Sequence, residues 1–438
     1  MKTLTRLLLQ LVILALLIQP VPAQSLPIAQ PQEVGLSPGR LQRLDQAMQT
    51  YVDLKRLPGA VTLIARRGRI AHLRAYGMMD LEANKIMRTD TIFRIASMSK
   101  AITSVAIMML HEEGKLLLND PLSKYLPEFQ NLQVLVLNNG RDANDTAPYK
   151  LVPAKRPITI HHLLTHTSGI SYKFAGKKYL ADMYGQAGVS DGLSQTEGTL
   201  AQNVWKIAKQ PLRSQPGEEW EYGLSTDVLG RVVEVVSGLN FADFLEQRIF
   251  KPLGMNDTYF FLPPEKVARL AAVYRPASKE NGGLEKYGDK PYDIGPLTFS
   301  ASYPYSGPTS YYSGGAGLVS TATDYWRFLQ MTLNGGELNG VRLLSRKSIE
   351  LMTAGVVNMG NPDDAYKFGL GFSVRQELGK ARRLGSVGEY NWGGFFHTAF
   401  FVDPKEDLVA ILLAQLYPAG NLDDQEKFRT LVYQSIVE

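Results

Sequence analysis

The segments of this 438-residue chain that read as strands fall into two groups far apart in sequence, with a long turn-rich stretch between them. Residues 59–65 and 70–77 are dominated by apolar residues and flank Arg66-Arg67-Gly68, which is a hairpin pattern. Strand signals return at residues 316–320, 369–374, 398–402 and 408–414. Helical spacing of apolar residues marks residues 38–51, 101–113, 225–237, 323–333, 345–352 and 424–436. Strands at both ends with helices between them call for one sheet shared by the two ends of the chain, covered by helices. The fold class expected is therefore α/β of the α+β type. Residues 24–122 and 303–438 would form the α/β domain, and residues 123–302 an inserted, mainly helical domain.

Residues 1–23 combine a basic start (Lys2, Arg6), an apolar run over residues 7–18 and a Val21-Pro22-Ala23 exit, the pattern of a secretory signal peptide. The run is too short for a comfortable span, and no later segment approaches one, so no stable membrane span is expected once the leader is gone. Export to the periplasm or the medium is the expected address. Loss of Lys2 and Arg6 lowers the formal charge of +5 to about +3. That near balance, with no basic run interleaved with aromatics, argues against a nucleic-acid partner. Cysteine is absent, which excludes disulfides and thiolate metal sites.

Ser97-Met98-Ser99-Lys100 lies where the extended residues 91–96 give way to the apolar helix at 101–113. A hydroxyl and an amine then stand one helical turn apart on one face. Without context Ser97 is an N-cap and Lys100 a solvated side chain, and a chain of this length yields on the order of one S-x-x-K by chance. A lysine in a first turn opposes the helix dipole, so helix stability does not account for it. A serine hydroxyl needs a base within hydrogen-bond reach, and an uncharged Lys100 could be that base. First-turn N–H groups lack intrahelical partners, so the N–H of Ser97 can hold a developing oxyanion.

Further motifs stand in order along the chain: Leu163-Leu164-Thr165-His166-Thr167-Ser168-Gly169, Pro216-Gly217-Glu218-Glu219-Trp220-Glu221-Tyr222, Phe250-Lys251-Pro252-Leu253-Gly254-Met255, Ser313-Gly314-Gly315-Ala316-Gly317-Leu318 and Trp392-Gly393-Gly394. With Ser97 and Lys100 they resemble the serine β-lactamase superfamily, in particular class C β-lactamases and the family VIII carboxylesterases, over nearly all of the chain beyond the leader. The resemblance implies an antiparallel sheet flanked by helices in the β-lactamase/D,D-peptidase arrangement. It also implies Ser97 as nucleophile, Lys100 and Tyr222 as the groups that move its proton, and the N–H groups of Ser97 and Phe395 as oxyanion donors. Trp392, Gly393 and Gly394 would line the substrate strand.

Two departures bear on substrate. The class C pattern Tyr-x-Asn becomes Tyr222-Gly223-Leu224, which loses an amide, and Trp392 stands where a lysine would meet the β-lactam carboxylate. An indole supplies no cation. An uncharged small-molecule ester is therefore the expected substrate, with no metal or organic cofactor. The runners-up are a class C-type β-lactamase or penicillin-binding D,D-peptidase, and a non-catalytic binding relative of the same fold. Tyr303, Tyr305, Tyr311, Tyr312 and Phe395 would suit an apolar acyl or alcohol group, with Tyr312 the residue expected to touch it. Oligomeric state is not legible.

Rival signals are weaker. Gly35-Leu36-Ser37-Pro38-Gly39 and Gly188-Val189-Ser190-Asp191-Gly192 both fit the G-x-S-x-G nucleophile elbow, yet neither follows a convincing strand. His162 and His166 stand four apart, but the zincin glutamate is replaced by Leu163.

Overall fold

The computed structural model describes residues 26–138, 148–175, 178–277, 282–360 and 364–438; the expected leader and much of the polar stretch after residue 138 lie outside these. A nine-stranded antiparallel sheet forms the body. Its strands are Gly59–Arg66 (β1), Arg69–Asp80 (β2), Lys85–Ile86 (β3), Val357–Asn358 (β4), Tyr366–Phe368 (β5), Ser373–Arg375 (β6), Tyr390–Gly394 (β7), Thr398–Asp403 (β8) and Leu408–Ala414 (β9). Across the sheet the order is β4-β5-β6-β7-β8-β9-β1-β2-β3. The two ends of the chain meet at the β9–β1 ladder, from Ala60 opposite Ala414 to Arg66 opposite Leu408. The described residues of 123–302 contribute no strand to this sheet.

Both faces are covered, which explains why β9 is apolar without a break. Along β9, Val409, Ile411 and Leu413 enter one core cluster, while Leu408, Ala410, Leu412 and Ala414 enter the other. Successive side chains point to opposite faces, so an unbroken apolar run is what a strand buried on both sides requires. Helices Pro38–Asp53 (α1) and Asp424–Tyr433 (α5) cover the second cluster. Helix Ser99–Glu112 (α2) sits in the first, and every residue from Ser99 to Leu110 is buried. A helix apolar all round must be buried all round. It packs against Ser225–Ser237 (α3) and the rest of the helical region, while Ala322–Leu333 (α4) lies on this face of the sheet against β1, β8 and β9. Truncating one of its buried aliphatic side chains to alanine would cost about 2–5 kcal/mol.

Two expected strands are corrected. Residues 369–374 are not one strand but the bend between β5 and β6 and the start of β6. Gly371 there has φ +99°, and a Cβ would lie 2.5 Å from Ser104 Oγ, so the bend is fastened against α2. Residues 316–320 are strand only at Val319–Ser320, which pairs with Phe93–Arg94. The preceding residues form a glycine-rich turn whose role belongs to the site.

Candidate active site

After the short Phe93–Arg94 strand the chain passes through a 3-10 turn, Ala96–Met98, into α2. Ser97 rides on that turn. Ala96 has φ +42°, in the left-handed region that alanine avoids at a cost of order 1–3 kcal/mol. Complete burial of Ala96 and a 2.9 Å hydrogen bond from Tyr325 OH to Met98 O hold the turn in place.

Lys100, one turn on, is 1% exposed. Its Nζ donates to Gly315 O at 2.7 Å, to Tyr172 OH at 2.9 Å and to Ser97 Oγ at 3.2 Å. The Gly315 carbonyl comes from the glycine-rich turn, which is tied to α2 by Thr103 Oγ1 donating to Gly314 O at 2.8 Å and by Leu318 N–H donating to Ser99 Oγ at 3.2 Å. In the uncharged form that a general base requires, the amine would keep two N–H groups, for Gly315 O and the Tyr172 oxygen, with its lone pair free for the Ser97 proton.

Tyr222 enters the same cluster from the segment before α3. The Lys100 Nζ lies 4.7 Å from its ring centroid, and Trp392 Nε1 donates to its hydroxyl at 3.3 Å. Trp392 thus does not merely replace a cation; it supplies a neutral N–H to the phenol oxygen. Beneath Tyr222, the His166 ring packs at 4.9 Å, and His166 Nδ1 faces the Gly223 N–H at 3.4 Å. Burial, then the charge of Lys100, drives the His166 imidazole well below its ordinary pKa, so this ring is a neutral spacer. Burial, reinforced by Tyr222 and Asp227, pushes the Tyr172 phenol well above its ordinary range, so Tyr172 stays protonated beside the amine. Asp227, fully buried, accepts from Tyr311 OH at 2.8 Å; desolvation raises its pKa, with Tyr311, Ser313 and the Lys100 charge opposing.

The other wall is β7. Its ladder to β6 stops at Asn391 opposite Ser373, so Trp392, Gly393 and Gly394 have no strand partner on that edge. A Cβ on Gly394 would fall 2.4 Å from Ile95 O, so only glycine lets β7 close onto the backbone that carries Ser97. Ser97, Tyr222, Trp392, Gly393, Gly394 and Phe395 line one cavity of about 490 Å³. Of the expected site residues, Lys100 does not line that cavity and reaches it through Ser97, and Tyr312 lies apart from it, its ring packed on Phe260 and Phe261 at 5.3 and 5.9 Å. Tyr303, Tyr305 and Tyr311 are likewise occupied elsewhere, donating to Ala316 O, Asp289 and Asp227. Phe395 is the member of that aromatic group that lines the cavity.

The rival motifs resolve into local roles. Ser37 caps α1 by accepting from Arg40 N–H, and Ser190 hydrogen-bonds Thr196 within its loop. His162 Nδ1 accepts from Thr159 N–H, closing a capping box at residues 160–164. Among the described residues no group of three or more metal-ligating side chains is arranged to hold an ion. Nor is any of their helices long and apolar enough to cross a membrane. Tyr172 and the Gly315 carbonyl were not singled out from sequence; Tyr172 lies just beyond the Leu163 to Gly169 motif, which was the available signal.

The chain is similar to known proteins over most of its length. Residues 44–434 match the Beta-lactamase family. The chain is 33% identical over 376 residues to esterase EstB of Burkholderia gladioli, covering 85% of this chain and 89% of that protein. It is 28% identical to the monacolin J acid methylbutanoyltransferase of Aspergillus terreus over 86% of this chain and 90% of that one. Among solved structures it superposes on EstCE1, a hydrolase with promiscuous acyltransferase activity, with a TM-score of 0.78 and 28% identity, over 90% of this chain and 98% of that one. The chain therefore belongs to the beta-lactamase family, as a serine hydrolase with the fold shared by β-lactamases and penicillin-binding proteins.

Proposed function

We propose that this protein cleaves carboxylic esters through a covalent acyl-enzyme. The observation that carries the reading is the pairing of Ser97 Oγ with Lys100 Nζ at 3.2 Å, beside a Tyr222 oxygen that receives the Trp392 N–H, at one cavity. Ser97 Oγ bonds to the ester carbonyl carbon, and its proton passes to Lys100 and Tyr222. The carbonyl oxygen becomes an oxyanion held by the N–H groups of Ser97 and Phe395. Collapse of the tetrahedral intermediate breaks the bond to the alkoxy oxygen, which takes the proton and leaves as alcohol. Water then gives up a proton to the same pair, attacks the acyl-enzyme and releases the acid, restoring Ser97. Trp392 fixes the direction of the Tyr222 hydroxyl by donating to its oxygen, a contribution a neutral donor makes without drawing an anionic substrate.

Acyl transfer is a second reading, favoured by the acyltransferase named among the relatives. An alcohol occupying the place of water in the second half-reaction would give an ester in place of an acid. The leader pattern of residues 1–23 supports export; intact mass of protein recovered from periplasm or medium, beginning near Gln24, checks it.

The test pairs a short-chain p-nitrophenyl ester with a chromogenic cephalosporin, and adds intact mass after a fluorophosphonate. Ester turnover with one adduct, both lost in Ser97→Ala, supports the proposal. Cephalosporin turnover without ester turnover would favour the β-lactamase alternative, and inertness to all three a binding relative.

A further inference from the structure

The cavity wall beyond Phe395 contains one further polar residue of the same turn, His397. Strand β7 turns into β8 through residues 394–397, closed by His397 N–H donating to Gly394 O at 3.0 Å. His397 has φ +71°, a conformation at home in glycine and costly for histidine. Its imidazole is not turned to solvent. Nε2 lies 2.9 Å from both carboxylate oxygens of Asp424, and Asp424 is fully buried in the first turn of α5. Gln425 Nε2 stands 3.4 Å from Nδ1. The arrangement assigns the Nε2 proton to the carboxylate and leaves Nδ1 to accept from the Gln425 amide, so both ring nitrogens are occupied.

The rest of the turn is fixed by packing. Phe395 stacks on Tyr417 with ring centroids 3.8 Å apart, Phe396 is fully buried, and Gly394 pairs with Thr398. His397 is the one corner tied to another element by a charge-assisted hydrogen bond, and it borders the same cavity as Ser97. Two left-handed non-glycine residues thus flank the proposed oxyanion position, Ala96 before Ser97 and His397 after Phe395.

The geometry points to His397 and Asp424 as a positioning pair that sets the direction of the Phe395 N–H. This rests on the reading of that N–H as an oxyanion donor. A donor of this kind acts only when aimed at where charge develops, so a small rotation of the 394–397 turn weakens the transition state more than the bound ester. The strain at His397 is offset by the bond to Asp424, which transmits the rigidity of α5 to the turn. His397 is a positioning residue and touches no reacting atom.

Four variants on the full chain test this: His397→Gly, His397→Asn, Asp424→Ala and Asp424→Asn. Each is measured for kcat and KM on a p-nitrophenyl ester, for the rate of fluorophosphonate labelling, and for Tm. Glycine and asparagine both accept the left-handed backbone, so neither should misfold, and neither reaches Asp424. Both are expected to lower kcat and labelling rate about tenfold with KM within about twofold. Asp424→Ala should fall equally, while Asp424→Asn, whose amide oxygen still accepts the Nε2 proton, should recover most of the loss. Wild-type kcat and labelling in His397→Gly and His397→Asn would overturn the inference, since backbone shape alone would then suffice. Equal losses in Asp424→Ala and Asp424→Asn, tracking a lowered Tm, would overturn it in favour of a structural role. Ser97→Ala is run alongside: residual turnover there would sink the ester-hydrolase reading itself, whereas an inert Ser97→Ala with a fully active His397→Gly removes only the pair.

Discussion

On the α1 side of the sheet, Thr62 Oγ1 lies 2.9 Å from His72 Nε2, with Tyr76 OH 3.2 Å from the threonine and 2.6 Å from Asp45. On the α2 side, Ser97 Oγ lies 3.2 Å from Lys100 Nζ, with Tyr172 and Tyr222 alongside. Judged by distance alone, the first cluster has the better hydroxyl, base and carboxylate set. Its surroundings differ. Asp45 approaches the same Nε2 as Thr62, at 3.6 Å, so it cannot orient the ring from the other nitrogen as a triad requires. Thr62 is paired in ladders with Leu412 and Arg74 on either side and is fully buried, which leaves neither an oxyanion donor nor room for a carbonyl. Ser97 instead sits on a strained turn facing the unpaired edge of β7. A reactive serine is made by the backbone around it as much as by its base.

The largest test of that contrast is a pair of substitutions. Ser97→Ala should lower kcat/KM for a p-nitrophenyl ester by at least about 10³-fold, whereas Thr62→Val should stay within about twofold and show its loss in Tm, equivalent to about 1 kcal/mol. The reverse pattern would exchange the roles of the two clusters. Lys100→Met keeps the stem and removes the amine; a fall of about 10²–10⁴-fold in kcat, read under saturating ester, is expected of a lost general base. Trp392→Phe keeps the ring and removes the N–H given to Tyr222, and should cost about tenfold in kcat, the equivalent of one hydrogen bond of roughly 1.4 kcal/mol.

The α1-side cluster has its own signature in stability rather than rate. Burial lowers the His72 pKa from 6.5 to about 4, with Asp45 opposing and Arg74 assisting. The folded state therefore prefers neutral imidazole. Its contribution is present above pH 6.5, where both states are unprotonated, and is lost as pH falls from 6.5 towards 4, because the unfolded chain takes the proton first. Urea titrations of His72→Gln against wild type should show a shallower acid decline over that window, by up to about 1.4 kcal/mol per pH unit. The smallest effect belongs to Tyr312→Phe, expected to leave kcat/KM within about twofold because the ring packs on Phe260 and Phe261 outside the cavity; a tenfold change would return Tyr312 to the site.

What could be read from sequence follows the physics of each element. The β1–β2 hairpin was legible because two apolar strands flank Arg67 and Gly68, both of which adopt left-handed φ. Strand β9 was legible because a seven-residue apolar run is what burial on both faces selects. Residues 316–320 and 369–374 misled because glycine lets an apolar segment bend, and period-two patterning does not record φ. At the site, Ser97 and Lys100 stand three apart on one turn, so local spacing announces them. Tyr172 is 72 residues from Lys100, and its role exists only once the fold brings them to 2.9 Å. The Gly315 carbonyl has no side chain to announce it, and the His397 contact with Asp424 depends on how α5 docks.

The central ladder of the sheet carries a consequence for how the molecule is made. Residues 60–66 emerge early from the ribosome, yet their neighbour on one side is residues 408–414. Until that late segment arrives, the first hairpin exposes one edge of unpaired backbone N–H and C=O groups and cannot complete its own layer, and contacts so distant in sequence close slowly. Synthesis thus leaves a long interval in which the hairpin is open to mispairing, and closure of the sheet waits on residues 408–414.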